Sequence, residues 1–155
     1  MTFEIRAARA DEIDRLYAVH HDSVIRLCAG HYSEAQIRGW LSGRTPAMYL
    51  PAIAAGRLWV ADDGAPIGFA EIDGHELTKL FIRGDCAARG IGRRLLEHAL
   101  AAIRAGGAAS AYLEATLNAR AFYARHGFVE VGRGAFSHGA GGEPLEIVKM
   151  QRALS

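Results

Sequence analysis

The strongest constraint on this chain is a pair of glycines, Gly90 and Gly92, set where an apolar strand hands over to a helix. Leu77-Thr78-Lys79-Leu80-Phe81-Ile82 reads as the strand. Arg89-Gly90-Ile91-Gly92-Arg93-Arg94-Leu95-Leu96 opens the helix, whose apolar face runs on through Ala99, Leu100 and Ile103. Without a Cβ, both glycines let the backbone turn tightly and bring its N–H groups against a ligand. The first N–H groups of a helix lack intrahelical partners and lie at the positive end of its dipole. An anion such as phosphate suits that place, and Arg89, Arg93 and Arg94 add full positive charges beside it.

A glycine pair alone also fits a plain turn or helix cap, so the surrounding residues decide. The dinucleotide fingerprint requires a third glycine after two intervening residues; Leu95 stands there. The Gly-Lys-Ser/Thr of a phosphate-binding P-loop is absent. The remaining pattern, R-G-I-G-R-R-L-L after L-F-I, resembles the acetyl-CoA loop of the GNAT superfamily of N-acetyltransferases. In that family a Val-x-Pro strand end precedes Q/R-x-x-G-x-G/A and a Leu-Leu helix. Here Ile82-Arg83-Gly84 replaces Val-x-Pro, and Ala87 stands at the Gln/Arg position.

The order of elements extends the likeness. Phe3 and Ile5 alternate with polar residues as a first strand. Asp11 and Glu12 favour a helix start, and Ile13, Leu16, Tyr17, His20, Val24 and Leu27 then recur on one helical face up to Gly30. Ser33-Glu34-Ala35-Gln36 is a capping-box pattern opening a short helix with Ile37, Trp40 and Leu41. Residues 46–56 read as loop with a helical turn or two. Strands are expected over 57–61 and 66–73, joined by the hairpin signal Asp62-Asp63-Gly64. After the glycine-opened helix come a strand over 110–115, a helix over 117–126 closed by Gly127, a strand over 128–133, a glycine-rich loop, and a last strand over 144–150.

A second motif, Ala121-Phe122-Tyr123-Ala124-Arg125-His126-Gly127-Phe128, resembles the F-Y-x-x-x-G-F segment that follows the family's fifth strand. The stretch 116–123, with His20 and residues 28–40, most resembles the YafP-like bacterial subgroup. The resemblance implies an α/β (α+β) GNAT fold. Its sheet is mixed, mostly antiparallel and six- to seven-stranded, with splayed central strands and helices on both faces, in a single domain over 1–155.

It also implies site roles. Acetyl-CoA is the expected cosubstrate, held by Arg89, Gly90, Ile91, Gly92, Arg93 and Arg94 at the diphosphate. Backbone groups of Leu80, Phe81 and Ile82 are expected to lack strand partners and to pair with the pantetheine arm. Thr116 or Asn118 is expected to touch that arm as well, Thr116 being also a candidate N-cap. Tyr123 is the expected general acid for the leaving thiolate. Candidates for the base are Glu71, Glu76, Glu114, His20, His138 and a water relay, with Glu114 assigned. His20, Tyr32 and His138 are expected at the acceptor, with Tyr17, Trp40, Tyr49 and Phe136 as further aromatic candidates for its walls.

Composition sets the outer limits. Half of the 155 residues are hydrophobic, 23% are charged, and the formal net charge is +1. This is ordinary for a globular domain and gives no footing for extended nucleic-acid binding. No apolar run approaches the ~20 residues that span a bilayer, and no signal-peptide pattern opens the chain. A cytoplasmic protein, possible as a homodimer, is expected. Cys28 and Cys86 form neither a disulfide framework nor, with the histidines, a metal-ligand spacing. Transfer of an acetyl group to a small-molecule amine is the leading expectation. Acetylation of a protein or peptide amine and an acyl-CoA sensor without turnover are the alternatives.

Overall fold

A computed structural model describes residues 2–86, 89–136 and 145–154. Seven strands form one sheet in the order β1-β2-β3-β4-β5-β7-β6. They are β1 (Glu4–Ala7), β2 (Leu58–Asp62), β3 (Pro66–Asp73), β4 (Glu76–Ile82), β5 (Ser110–Ala115), β6 (Val129–Phe136) and β7 (Leu145–Ala153). The helices are α1 (Ile13–Cys28), α2 (Glu34–Leu41), α3 (Leu50–Ala54), α4 (Ile91–Ala105) and α5 (Arg120–Arg125). Short 3-10 turns precede α1, α3 and the glycine loop.

Each face of the sheet has its own core. Ile91, Leu95, Leu96, Ala99, Leu100 and Ile103 of α4 pack with Ala70, Ile72, Leu77, Leu113, Tyr123 and Val148 on one face. Full burial of a Leu or Ile side chain contributes about 1.5–3 kcal/mol, so α4 is held by this stripe more than by its own propensity. Gly68 permits the close approach: a Cβ there would lie 3.2 Å from Leu95 Cδ1 and 2.9 Å from Ile82 Cδ1. On the other face, Leu16 and Val19 of α1 meet Tyr49, Leu58, Val60 and Phe69. The Ser33 cap forms as its pattern predicts, Ser33 Oγ accepting from the Gln36 N–H (3.0 Å) and Gln36 Oε1 from the Ser33 N–H (2.8 Å).

Only β4 and β5 run parallel, and they pair only at Glu76↔Tyr112 and Leu77↔Leu113. Beyond Leu77 the two strands part. A bulge lies at that point: Glu71 is opposite Lys79 and Ile72 opposite Leu77, which leaves Thr78 as the extra residue. Such a bulge bends and twists its strand. The buried Glu71 carboxylate pins it, since Oε2 accepts from the Thr78 hydroxyl (2.6 Å) and the Lys79 ammonium (2.7 Å). Glu71 therefore acts in the fold, against its candidacy as a base.

Antiparallel alternation then decides which backbone groups face the gap. The Arg83 N–H donates to Ile67 O (2.8 Å), so the groups of Phe81 and Lys79 point at β3 as well, and those of Leu80 and Ile82 point away from it. The expectation that all three of Leu80, Phe81 and Ile82 have open backbone groups is corrected accordingly. Phe81 contributes its ring.

Two further differences are local. The predicted helix over 117–126 begins only at Arg120, with Ala119 at its N-cap and no side-chain cap, so Thr116 is not a cap. Residues 117–119 form a turn whose Leu117 N–H donates to the Tyr32 hydroxyl (2.9 Å), while that hydroxyl donates to Glu146 O (2.7 Å). Gly84 stands where the family has proline because its N–H donates to Asp22 Oδ2 (2.6 Å). A Cβ at 84 would also lie 2.7 Å from Arg26 Cβ. Replacing Gly84 with Pro removes a hydrogen bond to a charged group and crowds α1, an expected cost of about 1.5–3 kcal/mol. A denaturant midpoint unchanged in Gly84→Pro would show that the Asp22 bond holds nothing.

Candidate active site

Two cavities meet where β4 and β5 part. The first, of about 480 Å³, lies between the end of α1, β4, the start of α4 and α5; Leu80, Ile82, Gly90, Gly92, Phe122 and Tyr123 line it. Gly90 caps α4 at φ 79°, a left-handed conformation that favours glycine. The Arg94 N–H closes the first helical turn on Gly90 O (3.2 Å), which leaves the N–H groups of Ile91, Gly92 and Arg93 without helical acceptors. Gly92 keeps the mouth open, since a Cβ there would touch the Phe122 ring at 3.4 Å.

The arginines separate into different roles. Arg89 directs Nη1 at Cys86 Sγ (3.3 Å), and its Nη2 is buried with no hydrogen-bond partner among the described residues. A buried, unspent guanidinium donor beside free helix amides suits an anion. Arg93 lines the cavity, with Nη1 3.4 Å from Glu97 Oε1. Arg94 does not belong: its guanidinium lies over the Phe3 ring at 5.0 Å and its N–H is used within α4. Ile91 buries its side chain in the core and offers only its backbone.

Tyr123 is 7% exposed, packs edge-on against Phe122 and Phe128, and lines the first cavity. Its hydroxyl has no hydrogen-bond partner among the described residues. Burial pushes the phenol well above its ordinary value, so it stays protonated at neutral pH. Asn118 also lines this cavity, its Oδ1 accepting from the Cys28 thiol (3.3 Å). Burial pushes the Cys28 thiol up to about 12, which leaves it unreactive.

The second cavity, of about 760 Å³, lies under α1 and α2. Glu76, Thr78, Lys79 and Glu114 form its sheet side, and His20, Trp40 and the 42–45 loop face them. Phe81 and Thr116 line both cavities and so mark their junction. His20 is buried, stacks on Phe81 with centroids 4.0 Å apart, and places Nδ1 2.9 Å from the Tyr49 hydroxyl.

Two carboxylates share the sheet side. Glu76 is half-buried, and burial together with neighbouring Glu114 raises its pKa above the usual glutamate value. Glu114 sits on the exposed rim and accepts the Tyr112 hydroxyl at Oε2 (2.8 Å). Burial and that bond push Tyr112 up to about 12. The raised Glu76 gave no sequence signal, because it depends on how close β4 and β5 bring two carboxylates.

Of the residues expected at the acceptor, His20 lines the second cavity, but Tyr32 does not. Its hydroxyl is engaged with Leu117 and Glu146, and it lines neither cavity. Tyr49 is likewise core, Tyr17 donates its hydroxyl to Arg44 O (3.3 Å), and Trp40 does form wall. His138 and the Phe136 side chain lie outside the described residues. Among the described residues no cluster of His, Cys, Asp and Glu has the makings of a metal site, and no helix is long and apolar enough to cross a membrane.

Comparison with known proteins agrees with this architecture. A family model described as an acetyltransferase (GNAT) domain matches residues 28–149. The chain is 32% identical over 137 residues to the peptidyl-lysine N-acetyltransferase YjaB of Salmonella typhimurium, across 86% of this chain and 88% of that protein. It is 26% identical over 129 residues to the uncharacterized N-acetyltransferase YafP of Escherichia coli, across 83% and 82%. Among solved structures, a GCN5-related N-acetyltransferase from Rhodopseudomonas palustris superposes with a TM-score of 0.88 at 28% identity, over 99% of this chain and 97% of the other.

Proposed function

The chain belongs to the GNAT family of acetyltransferases, and from that premise we propose that it transfers the acetyl group of acetyl-CoA to the primary amine of a small molecule. One observation carries the reading: an anion-suited cavity and a carboxylate-lined cavity meet where β4 and β5 part, with Phe81 and Thr116 alone among the described residues lining both.

The residues present fit CoA. The amides of Ile91, Gly92 and Arg93, the buried Arg89 Nη2 and the Arg93 side chain supply donors for a diphosphate. The open backbone groups of Leu80 and Ile82 supply partners for the amides of a pantetheine arm, with Asn118 and Thr116 alongside. When bound, acetyl-CoA supplies an activated acyl group: its C–S bond breaks, a C–N bond forms, and the acceptor ammonium gives up two protons, one of which ends on the thiol.

Glu76 is the proposed first acceptor of those protons. A lysine-like amine has a pKa near 10.4, and a carboxylate whose own pKa is raised is a better matched base than an ordinary one. Glu114, assigned as base on sequence grounds, is proposed to take the proton onward to solvent from its exposed rim. Tyr123, kept protonated by burial, is the proposed donor to the departing sulfur.

A second reading, the lysine side chain of a protein as acceptor, is favoured by the 32% identity to a peptidyl-lysine acetyltransferase. Thiol release measured over small amines and lysine peptides decides between them, the small-molecule reading requiring the higher kcat/KM on an amine outside a peptide.

Three substitutions test the assignments. Gly92→Glu fills and negatively charges the diphosphate corner and is expected to weaken CoA binding at least about 100-fold, or about 2.7 kcal/mol; calorimetry showing unaltered affinity would remove the site from α4. Tyr123→Phe is expected to lower kcat by about 10²-fold with little change in KM for acetyl-CoA. Undiminished turnover there rules out the acid role. A base works unprotonated, so activity should fall as pH drops through the raised Glu76 pKa. Glu76→Gln should abolish that acidic limb of the kcat/KM profile, and a limb that persists assigns it to another group.

A further inference from the structure

β4 and β5 pair at Glu76↔Tyr112 and Leu77↔Leu113, and the Tyr112 N–H donates to His75 O (3.0 Å). Tyr112 is therefore fixed at the root of the gap. Alternation along β5 buries Ala111, Leu113 and Ala115 in the α4 core and puts Tyr112 and Glu114 on the other face, which Glu76 shares as the partner of Tyr112. From there the Tyr112 hydroxyl donates to Glu114 Oε2 (2.8 Å). Register offers Glu114 a competing partner. Lys149 stands directly across the antiparallel β5–β7 pair from it, the place where opposite charges ordinarily meet. Among the described residues the two form no ion pair, and the Lys149 stem lies along β6, where a Cβ at Gly134 would be 3.0 Å from Lys149 Cε. The carboxylate is held along β5 by Tyr112, not drawn across to β7 by Lys149.

An exposed glutamate side chain without such a tether is free to turn into water. Building on the transferase reading above, in which Glu76 takes the first proton, we propose that Tyr112 is a positioning residue for proton removal: its hydroxyl holds the Glu114 carboxylate beside Glu76, so that the two act as a pair. Burial, and after it the neighbouring Glu114, raises Glu76, because one carboxylate disfavours the charge of the next. The other charged groups around Glu76 are His75 next to it and Asp73 on β3. Lys79 is held by Glu71 at 2.7 Å, and His20 of α1 and Arg44 after α2 line the same cavity. Removing the Tyr112 hydroxyl leaves all of these in place and frees Glu114 alone. With Glu114 turned away, Glu76 loses a neighbour that raises it and deprotonates at lower pH.

The test follows the Glu76 side-chain carboxyl carbon by NMR through a pH titration of the full chain labelled at glutamate, the signal being assigned by its loss in Glu76→Gln. In Tyr112→Phe the midpoint is expected to fall by about 0.3–0.5 pH unit, the size of one neighbouring charge near water. The acidic limb of kcat/KM, measured with acetyl-CoA and the fastest amine of the panel above, should fall with it. Glu114→Gln should lower the midpoint by at least as much, and Tyr112→Phe added to Glu114→Gln should move it no further. An unmoved midpoint in either single variant overturns the proposal and leaves the transferase reading intact, as does a full further shift in the double variant. A midpoint that falls while the kinetic limb stays overturns the part given to the pair in proton removal. An acidic limb that persists in Glu76→Gln overturns the base assignment on which the proposal rests. Glu114 is exposed, so its variant reads the pair even if Tyr112→Phe does not fold.

Discussion

The structure depends on the parting of β4 from β5. Two residue pairs hold the strands together at Glu76 and Leu77; beyond them a parallel ladder that could have continued does not. Unpaired backbone inside a sheet is costly, because each buried N–H or C=O without a partner loses the better part of a hydrogen bond. The chain keeps the gap by building supports around it. The bulge at Thr78 turns β4, and the buried Glu71 holds that bulge through Thr78 and Lys79. A buried carboxylate would be a liability without those two donors.

On the far side of the gap the corner between α1 and α2 does the corresponding work. The Tyr32 hydroxyl joins the turn after β5 to the backbone of β7, and Cys28 reaches Asn118 in the same turn. The rings of His20 and Phe81, stacked at 4.0 Å, fill the space between. A sheet opened this way has two cavities at its gap, and among the described residues Phe81 and Thr116 alone line both.

What the sequence revealed follows the range of the interactions involved. Period and turn chemistry are local, so β3 and β5 fall at their predicted bounds and the Ser33 cap forms as drawn. The glycine pair was legible for the same reason, since a left-handed Gly90 and a bare Gly92 are needs of a single turn. Register was not legible. Whether Phe81 or its neighbours face the gap depends on one hydrogen bond to Ile67, and the late start of α5 depends on a phenol 85 residues away. Tyr32 looked like a ligand contact because an aromatic before a helix gives no hint of its partners. Gly84 stood only as a departure from Val-x-Pro until Asp22 supplied the acceptor for its N–H.

Charge across the sheet completes the argument. A net charge of +1 conceals a division: unspent donors and arginines gather at the start of α4, and the carboxylates Glu76 and Glu114 line the other cavity. An arginine ion-paired to either glutamate would hold that carboxyl well below its ordinary pKa and spoil it as a base. At Glu76 burial and neighbouring Glu114 outweigh the lowering effect of His75, and the carboxyl is raised. The unspent donors and the carboxylates thus lie in two cavities that share Phe81 and Thr116, so a raised carboxyl and an anion-suited corner coexist in one site.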